Sequence, residues 1–505
     1  MPSVRSLPTA NLYLSTSPIA THGHPTVASH ASSQSSAIPA SLPEENNQDS
    51  AEVGFFLRHF AEHGGQWMDI CTGQRSYFSQ YVVQLASQSP ILRYSACAFA
   101  AKQMGQMKDS TRATNITTRS SMTASMLLRA SLDFLWYGAK YYEKAILLMA
   151  RQISHDRSTV QNHLSPGEIY RSPGSDYHHL DYHESTSSAF RILAACILCS
   201  YEDLSGTMRA WTGHLDGINK LFRPHLDLPI SPDNFYRIPQ SMRALNVSFW
   251  YFALNDMLNG FTLSQPCRIN PDDHPLWRKM GLPLSDSGQL MSEYIEEEQQ
   301  ESIFFKALIR LLCKLVNLDK FNNPRQWTLV DTEFTQWRNA LPPEFFAPIT
   351  HNLPPTQPPT QEPPAETWLS SETCAVAMAF YHMARIVLII NQPQEIFITA
   401  QKKPGDLLST YKVLHENLTH HANEILPIAH GMPNITVQKY LVQPLYVSAR
   451  CFLGWNERIT VIELLRNIQA SLGLATEYRV KDLAEEWKID YESISLPEHG
   501  VNVVP

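Results

Sequence analysis

From Phe190 the apolar residues Leu193, Ala194, Ile197, Leu198, Tyr201 and Leu204 recur at offsets of 3, 4, 7, 8, 11 and 14, one stripe along a helix. A Ser205–Gly206 break follows, which suits a turn. Trp211, Leu215, Ile218 and Phe222 then take up the same spacing, so two amphipathic helices are joined by a short reversal. The period returns at Phe304, Leu308, Leu311, Leu315 and Leu318, and again at Leu464, Ile468 and Leu472, where Gly473 stops it. Sustained strand-type alternation between turn signals is scarce. A chain patterned this way must bury many helix faces against one another. The expected fold is all-α, a large multi-helical array in one domain.

Two stretches fall outside the pattern. Residues 1–50 hold 11 Ser, 4 Thr and 6 Pro but one Arg and three acids, too few apolar groups to offset the entropy of ordering the chain. Between Pro342 and Pro364, nine of 23 residues are proline, the composition of an extended connector. The expected layout is a disordered leader over 1–52, a helical domain over 53–490 with a proline-rich loop at 342–366, and a tail over 491–505.

Charge narrows the function classes. Only 17% of the 505 residues are charged and the net charge is −8, against about 25% charged in an average soluble domain. A free-standing nucleic-acid binder carries a basic patch or stripe, and none is visible. Eight cysteines scattered from Cys71 to Cys451 make no disulfide framework and fit a reducing compartment. The amino terminus has no apolar run of signal-peptide length. The most apolar segment, Cys374 to Ile390, contains His382 and Arg385. It reads as a core helix, too short and too polar to span a bilayer.

Chemistry-bearing motifs are few. Neither type of glycine-rich phosphate loop nor a serine elbow occurs in the sequence. Cys196 and Cys199 form a CxxC pair inside the apolar stripe LAACILCSY, where two small core residues one turn apart are the simpler reading. His179 and His183, in DYHHLDYHE, share one helical face beside Asp176 and Glu184 and are the candidate metal ligands. A solvated extension of the following helix is the reading against them. His415, Glu416 and His420 lack zinc-protease spacing. His382 and Arg385, at i and i+3, are the candidate ligand-pocket pair. The alternative is a hydrogen-bonded histidine and an arginine paired to a neighbouring carboxylate or carbonyl. No catalytic residue and no cofactor-binding residue is assigned.

In order along the chain, several stretches match one family. YEDLSGTMRAWTGHLDGINKLF (Tyr201–Phe222) resembles the two-helix signature of the fungal transcription factor regulatory domain, the helical region that usually follows a six-cysteine binuclear zinc cluster. FFLRHFAEHGGQWMD (Phe55–Asp69), LASQSPILRYSACAFAAKQM (Leu85–Met104) and YYEKAILLM (Tyr141–Met149) resemble its earlier helices. SFWYFALNDMLNGFTLSQP (Ser248–Pro266), LPPEF from Leu341, YHMARIVLIINQP (Tyr381–Pro393), VQPLYVSARCF (Val442–Phe452) and ASLGLATEYRVKDLAEEW (Ala470–Trp487) follow in the family's order. The resemblance spans roughly residues 53–490.

The resemblance implies a nuclear regulator of RNA polymerase II genes that acts through a helical effector domain. Its implied partners are the transcriptional machinery or a DNA-bound protein, and a small-molecule effector, with no membrane. The zinc cluster is the departure: no cysteine precedes Cys71, and the first 50 residues hold no Lys. Direct zinc-cluster DNA binding is therefore not expected of this chain, either because the cluster is encoded upstream or because the protein works through partners. The alternative function is a helical small-molecule-binding protein or enzyme with a pocket between helices, its polar groups being His382, Arg385, His179 and His183.

Overall fold

The structure, a computed structural model, describes residues 47–73, 76–108, 133–163, 177–226, 240–318, 323–346, 366–393 and 407–494. Most of the expected leader, the proline-rich loop from 347 to 365, and residues 495–505 lie outside the described residues. Among the described residues there are sixteen α-helices and no strand, with one isolated bridge, Leu284 to Leu290.

The first part of the chain forms α1 (Asn47–Glu62), α2 (Gly64–Met68), α3 (Val83–Leu85), α4 (Pro90–Gln106) and α5 (Phe134–His163). Helix α1 starts before the expected domain edge at 53. The middle forms α6 (Tyr177–Asp203), α7 (Met208–Leu226), α8 (Gln240–Leu263), α9 (His274–Lys279), α10 (Gln300–Val316) and α11 (Pro324–Asn339). The last part forms α12 (Glu372–Ile390), α13 (Leu407–Gly431), α14 (Ile435–Ala449), α15 (Trp455–Leu472) and α16 (Glu477–Trp487).

Packing follows a closed circuit: α4 touches α6, α6 touches α8, and the contacts continue through α10, α12, α14 and α15 back to α4. The innermost helices are the least amphipathic. From Ile91 to Met104 in α4 all residues but Arg93 are buried, and the alanines at 96, 98, 100 and 101 let neighbours approach closely. Helix α5 crosses α4 at Gly138, where a Cβ would sit 3.1 Å from the Lys102 nitrogen. Side-chain caps fix several helix starts. Ser371 accepts from the Cys374 amide at 3.2 Å, Asn434 from Thr436 at 2.7 Å, and Asn323 from Gln326 at 3.0 Å.

Helix α12 corrects one expectation. Its 19 residues, with a mean hydropathy of 1.8 over the most apolar window, are long and apolar enough to cross a membrane, so length and polarity do not decide the matter. Packing argues for a core helix instead, because 78% of that window is buried inside the protein.

Candidate functional site

The two-helix signature lies at a crowded junction. Helix α6 ends at Asp203, the chain turns through Gly206 at φ +62°, and α7 buries Trp211, Leu215, Ile218 and Phe222. Polar groups tie the junction to distant segments. Asp203 pairs with Lys439 of α14. Lys102 of α4 donates to the Tyr201 carbonyl at 2.8 Å and lies 3.7 Å from the Tyr201 ring centre. Burial pulls the Lys102 pKa down to about 8. On α8, Asp256 accepts from the Arg268 amide at 2.6 Å and from Arg268 Nη1 at 2.7 Å. The cleft beside this junction holds about 40 Å³ and a second one, between α8, α12, α14 and α16, about 30 Å³, room for a water molecule or so in each. The signature is a structural knot.

A larger space opens between α10 and α11, with a volume of about 250 Å³. Helix α10 presents Ala307, Arg310 and Leu311 to it, with Lys314 next on the same face. Helix α11 presents Glu333, Gln336 and Trp337, a second stripe of the same spacing, with Ala340 just past its end. The third wall is the turn around the Leu284–Leu290 bridge, where Gly288 sits at φ +80°. A Cβ on Gly288 would meet Arg310 Nη2 at 3.0 Å and His274 Nε2 at 2.4 Å, so the backbone approaches Arg310 only because the residue is glycine.

Arg310 is buried and donates from Nε to the Pro271 carbonyl at 2.8 Å and from Nη1 to the Gly288 carbonyl at 3.1 Å. Burial lowers its pKa below the usual guanidinium value, yet an arginine stays charged in a protein. Lys314 bridges Glu333 at 2.9 Å and Asp272 at 3.1 Å. Trp337 locks the walls together by donating to the Phe304 carbonyl at 2.9 Å and stacking on Tyr381 of α12 at 5.6 Å. Exposed Gln289, Gln336 and Ala340 form the rim, so the cavity faces solvent.

The residues singled out from sequence lie elsewhere. His382 meets His421 of α13, Nδ1 to Nδ1 at 3.1 Å, and Arg385 donates to Asp331 at 2.6 Å. Neither lines the three spaces just described. His179 and His183 fall in the first turns of α6, but their side chains, with that of Glu184, are outside what the structure describes, as is Asp176. Cys196 and Cys199 are fully buried, and burial raises both thiol pKa values. No cluster of three or more His, Cys, Asp or Glu side chains is placed to hold a metal ion among the described residues. Sequence reasoning missed Arg310, Lys314 and Glu333. The signal was there: three cations, Lys306, Arg310 and Lys314, in the apolar helix FFKALIRLLCKLV, the same anomaly that marked His382 and Arg385.

The transcription activator AMTR1 of Alternaria alternata is 27% identical over 499 aligned residues, which cover 87% of this chain and 64% of that protein. The chain thus spans a little under two thirds of that relative's length. No solved structure matches. The sequence model described as fungal specific transcription factor domain matches residues 55–486, from the middle of α1 to the end of α16, and therefore takes in the whole helical circuit, the junction and the α10–α11 cavity. By that match the chain belongs to the fungal specific transcription factor domain family.

Proposed function

We propose that this protein is a fungal regulator of RNA polymerase II transcription, located in the nucleus, whose helical circuit acts as a non-enzymatic regulatory domain. The observation that carries this reading is the family match over residues 55–486, a range that includes the packing junction. The relative's printed role as a transcription activator supports the same class and favours activation as the output. DNA is reached through the transcriptional machinery, a DNA-bound partner or a zinc cluster encoded upstream, because a net charge of −8 gives this chain no overall basic balance to neutralise phosphates.

Fusing the whole 505-residue chain to a heterologous DNA-binding domain tests the proposal. A reporter that rises or falls with the fusion supports it. An unchanged reporter, with the fusion intact and in the nucleus, counts against it. The competing reading, a helical small-molecule-binding protein or enzyme outside transcription, would gain from a compound that the purified chain both binds and consumes.

A further inference from the structure

All eight cysteines fall among the described residues; seven are buried, and Cys267 is partly exposed. Cys267 lies on the link that follows α8, and its thiol hydrogen-bonds to the thiol of Cys313 on α10. Backbone contacts hold the two together. The Cys267 amide donates to Asn317 Oδ1 at 2.8 Å, and the Asn317 amide donates to the Cys313 carbonyl at 3.1 Å, one helical turn back. Gly260 of α8 leaves room for the sulfur: a Cβ there would lie 3.6 Å from Cys267 Sγ and 2.6 Å from Val316 Cγ1. Cys313 and Val316, at i and i+3, share one face of α10. The Cys267 sulfur therefore sits in the gap between α8 and α10, against the face that carries Cys313.

Two thiols within hydrogen-bond reach are a short move from a disulfide, whose sulfurs stand about 2.05 Å apart. The partner thiol and then burial push the Cys267 pKa up, and a protonated thiol reacts slowly. The pair therefore rests reduced in a thiol-rich compartment and closes only under sustained oxidant. Its place in the fold gives such a bond something to hold. Arg268, the next residue, joins α7 to α8 through Asp216 at 2.6 Å and Asp256 at 2.7 Å. Ser264, on the same link, is held at φ +52°, a region that a serine seldom adopts. A bond from Cys267 to Cys313 fastens this strap, and the α7–α8 contact it carries, to α10.

We propose that Cys267 and Cys313 form a redox pair, which hydrogen peroxide closes to a disulfide and small thiols reopen. The Cys267 sulfur attacks the peroxide O–O bond and becomes a sulfenic acid as one water leaves. The Cys313 sulfur then displaces that hydroxyl, the S–S bond forms, and a second water leaves with the Cys313 thiol proton. In sum, two thiols give up two electrons and two protons, and one peroxide becomes two waters. In the return step two small thiols supply those electrons and protons and leave as their own disulfide. That closure alters transcriptional output rests on the regulator reading above. The bond itself does not.

The test treats the purified, folded whole chain with hydrogen peroxide, blocks the remaining thiols, and reads the peptides by mass spectrometry without reduction. The wild type should yield a linked Cys267–Cys313 peptide pair, lost on treatment with dithiothreitol. Dimedone, which traps sulfenic acids, should label Cys267 about tenfold more in Cys313→Ser than in the wild type, because the resolving thiol is gone. Cys267→Ala should leave Cys313 a free thiol at the same dose of peroxide. The wild-type peptide map decides the matter even if neither variant folds. A Cys267 that stays unreacted, that is oxidised without the linked peptide, or that links to a different cysteine overturns the assignment. Because neither DNA nor a reporter enters the measurement, such a failure leaves the regulator reading to the tethering experiment.

Discussion

The backbone N–H of Ala475 donates to the carbonyl of Leu204 across 2.8 Å. Leu204 follows the last turn of α6, and the carbonyls at a helix C-terminus lack partners within the helix. Here one partner comes from the link between α15 and α16. The same region reaches α4, since Gln103 Nε2 donates to the Leu472 carbonyl at 3.0 Å and the Lys108 amide to Ala470 at 3.1 Å. Three helix ends are fastened at one node. This junction is thus one of the places where the C-terminal helices dock on the N-terminal ones, beside the contact of Tyr440 with the Trp67 carbonyl.

Gly206 should be the sensitive point of that node. It needs φ +62°, and a Cβ there would lie 3.3 Å from the Tyr478 ring. Gly206→Ala should cost about 1–2 kcal/mol from the left-handed backbone alone. Gly213, inside α7 with nothing within 4 Å of its Cβ position, should respond oppositely: Gly213→Ala should stabilise by about 0.5–1 kcal/mol. Urea midpoints of the two variants should fall on either side of the wild type. Shifts of the same sign and size would remove the special role of Gly206.

Asp256 should matter far more than its neighbour Asp216. Its side chain is 0% exposed and accepts from the Arg268 amide, the Ile269 amide and the Arg268 guanidinium. Asp256→Ala takes the buried one of Arg268's two carboxylates and leaves two amides without their acceptor, a loss of about 3 kcal/mol. Asp216 also pairs with Arg268 but is 53% exposed, so Asp216→Ala should cost about 1 kcal/mol or less. Equal losses in denaturant titrations would show that burial does not set the strength of these contacts.

The helices were legible because each repeats its own local period. Every residue of the Leu193–Leu198 run is buried in α6, and Phe304, Leu308, Leu311 and Leu315 all face inward from α10. The start of α1 was hidden because Asn47, Gln48, Asp49 and Ser50 have the polar composition of the leader before them. The cavity was illegible for a different reason. Arg310, Glu333 and Gly288 stand on three separate segments, and only tertiary packing brings them together. A cation in an apolar helix signals a buried partner without telling which partner. Arg385 found a carboxylate, whereas Arg310 found two carbonyls.

The thiols of Cys196 and Cys199 should be inert in the native protein. Both are fully buried, and burial holds their pKa values well above that of a free thiol, which suppresses the reactive thiolate. Iodoacetamide at neutral pH should leave both unlabelled until denaturant is added, as read by peptide mass spectrometry. Fast labelling of either under native conditions would contradict their place in the α6 core.

His382 and His421 make stability depend on pH with a definite sign. Burial is the main cause that lowers His382 to about 3 and His421 to about 4; the His421 ring, then Arg338 and His420, add to it at His382, and His420 and Arg385 at His421. Their Nδ1–Nδ1 hydrogen bond needs one ring to donate and the other to accept, which two imidazolium rings cannot do. In the unfolded chain both rings protonate near pH 6.5. Between those values the unfolded state binds more protons, so stability is full above about pH 6.5 and falls as the solution is acidified toward about pH 4. The slope is about 1.4 kcal/mol per pH unit for each histidine. His382→Phe removes one of the two titrating rings. Its loss of stability between about pH 7.5 and pH 5.5 should therefore be smaller than that of the wild type by about 1.4 kcal/mol. Identical losses in urea titrations at the two pH values would mean that His382 is already protonated in the folded protein, and the paired-ring geometry would have to be abandoned.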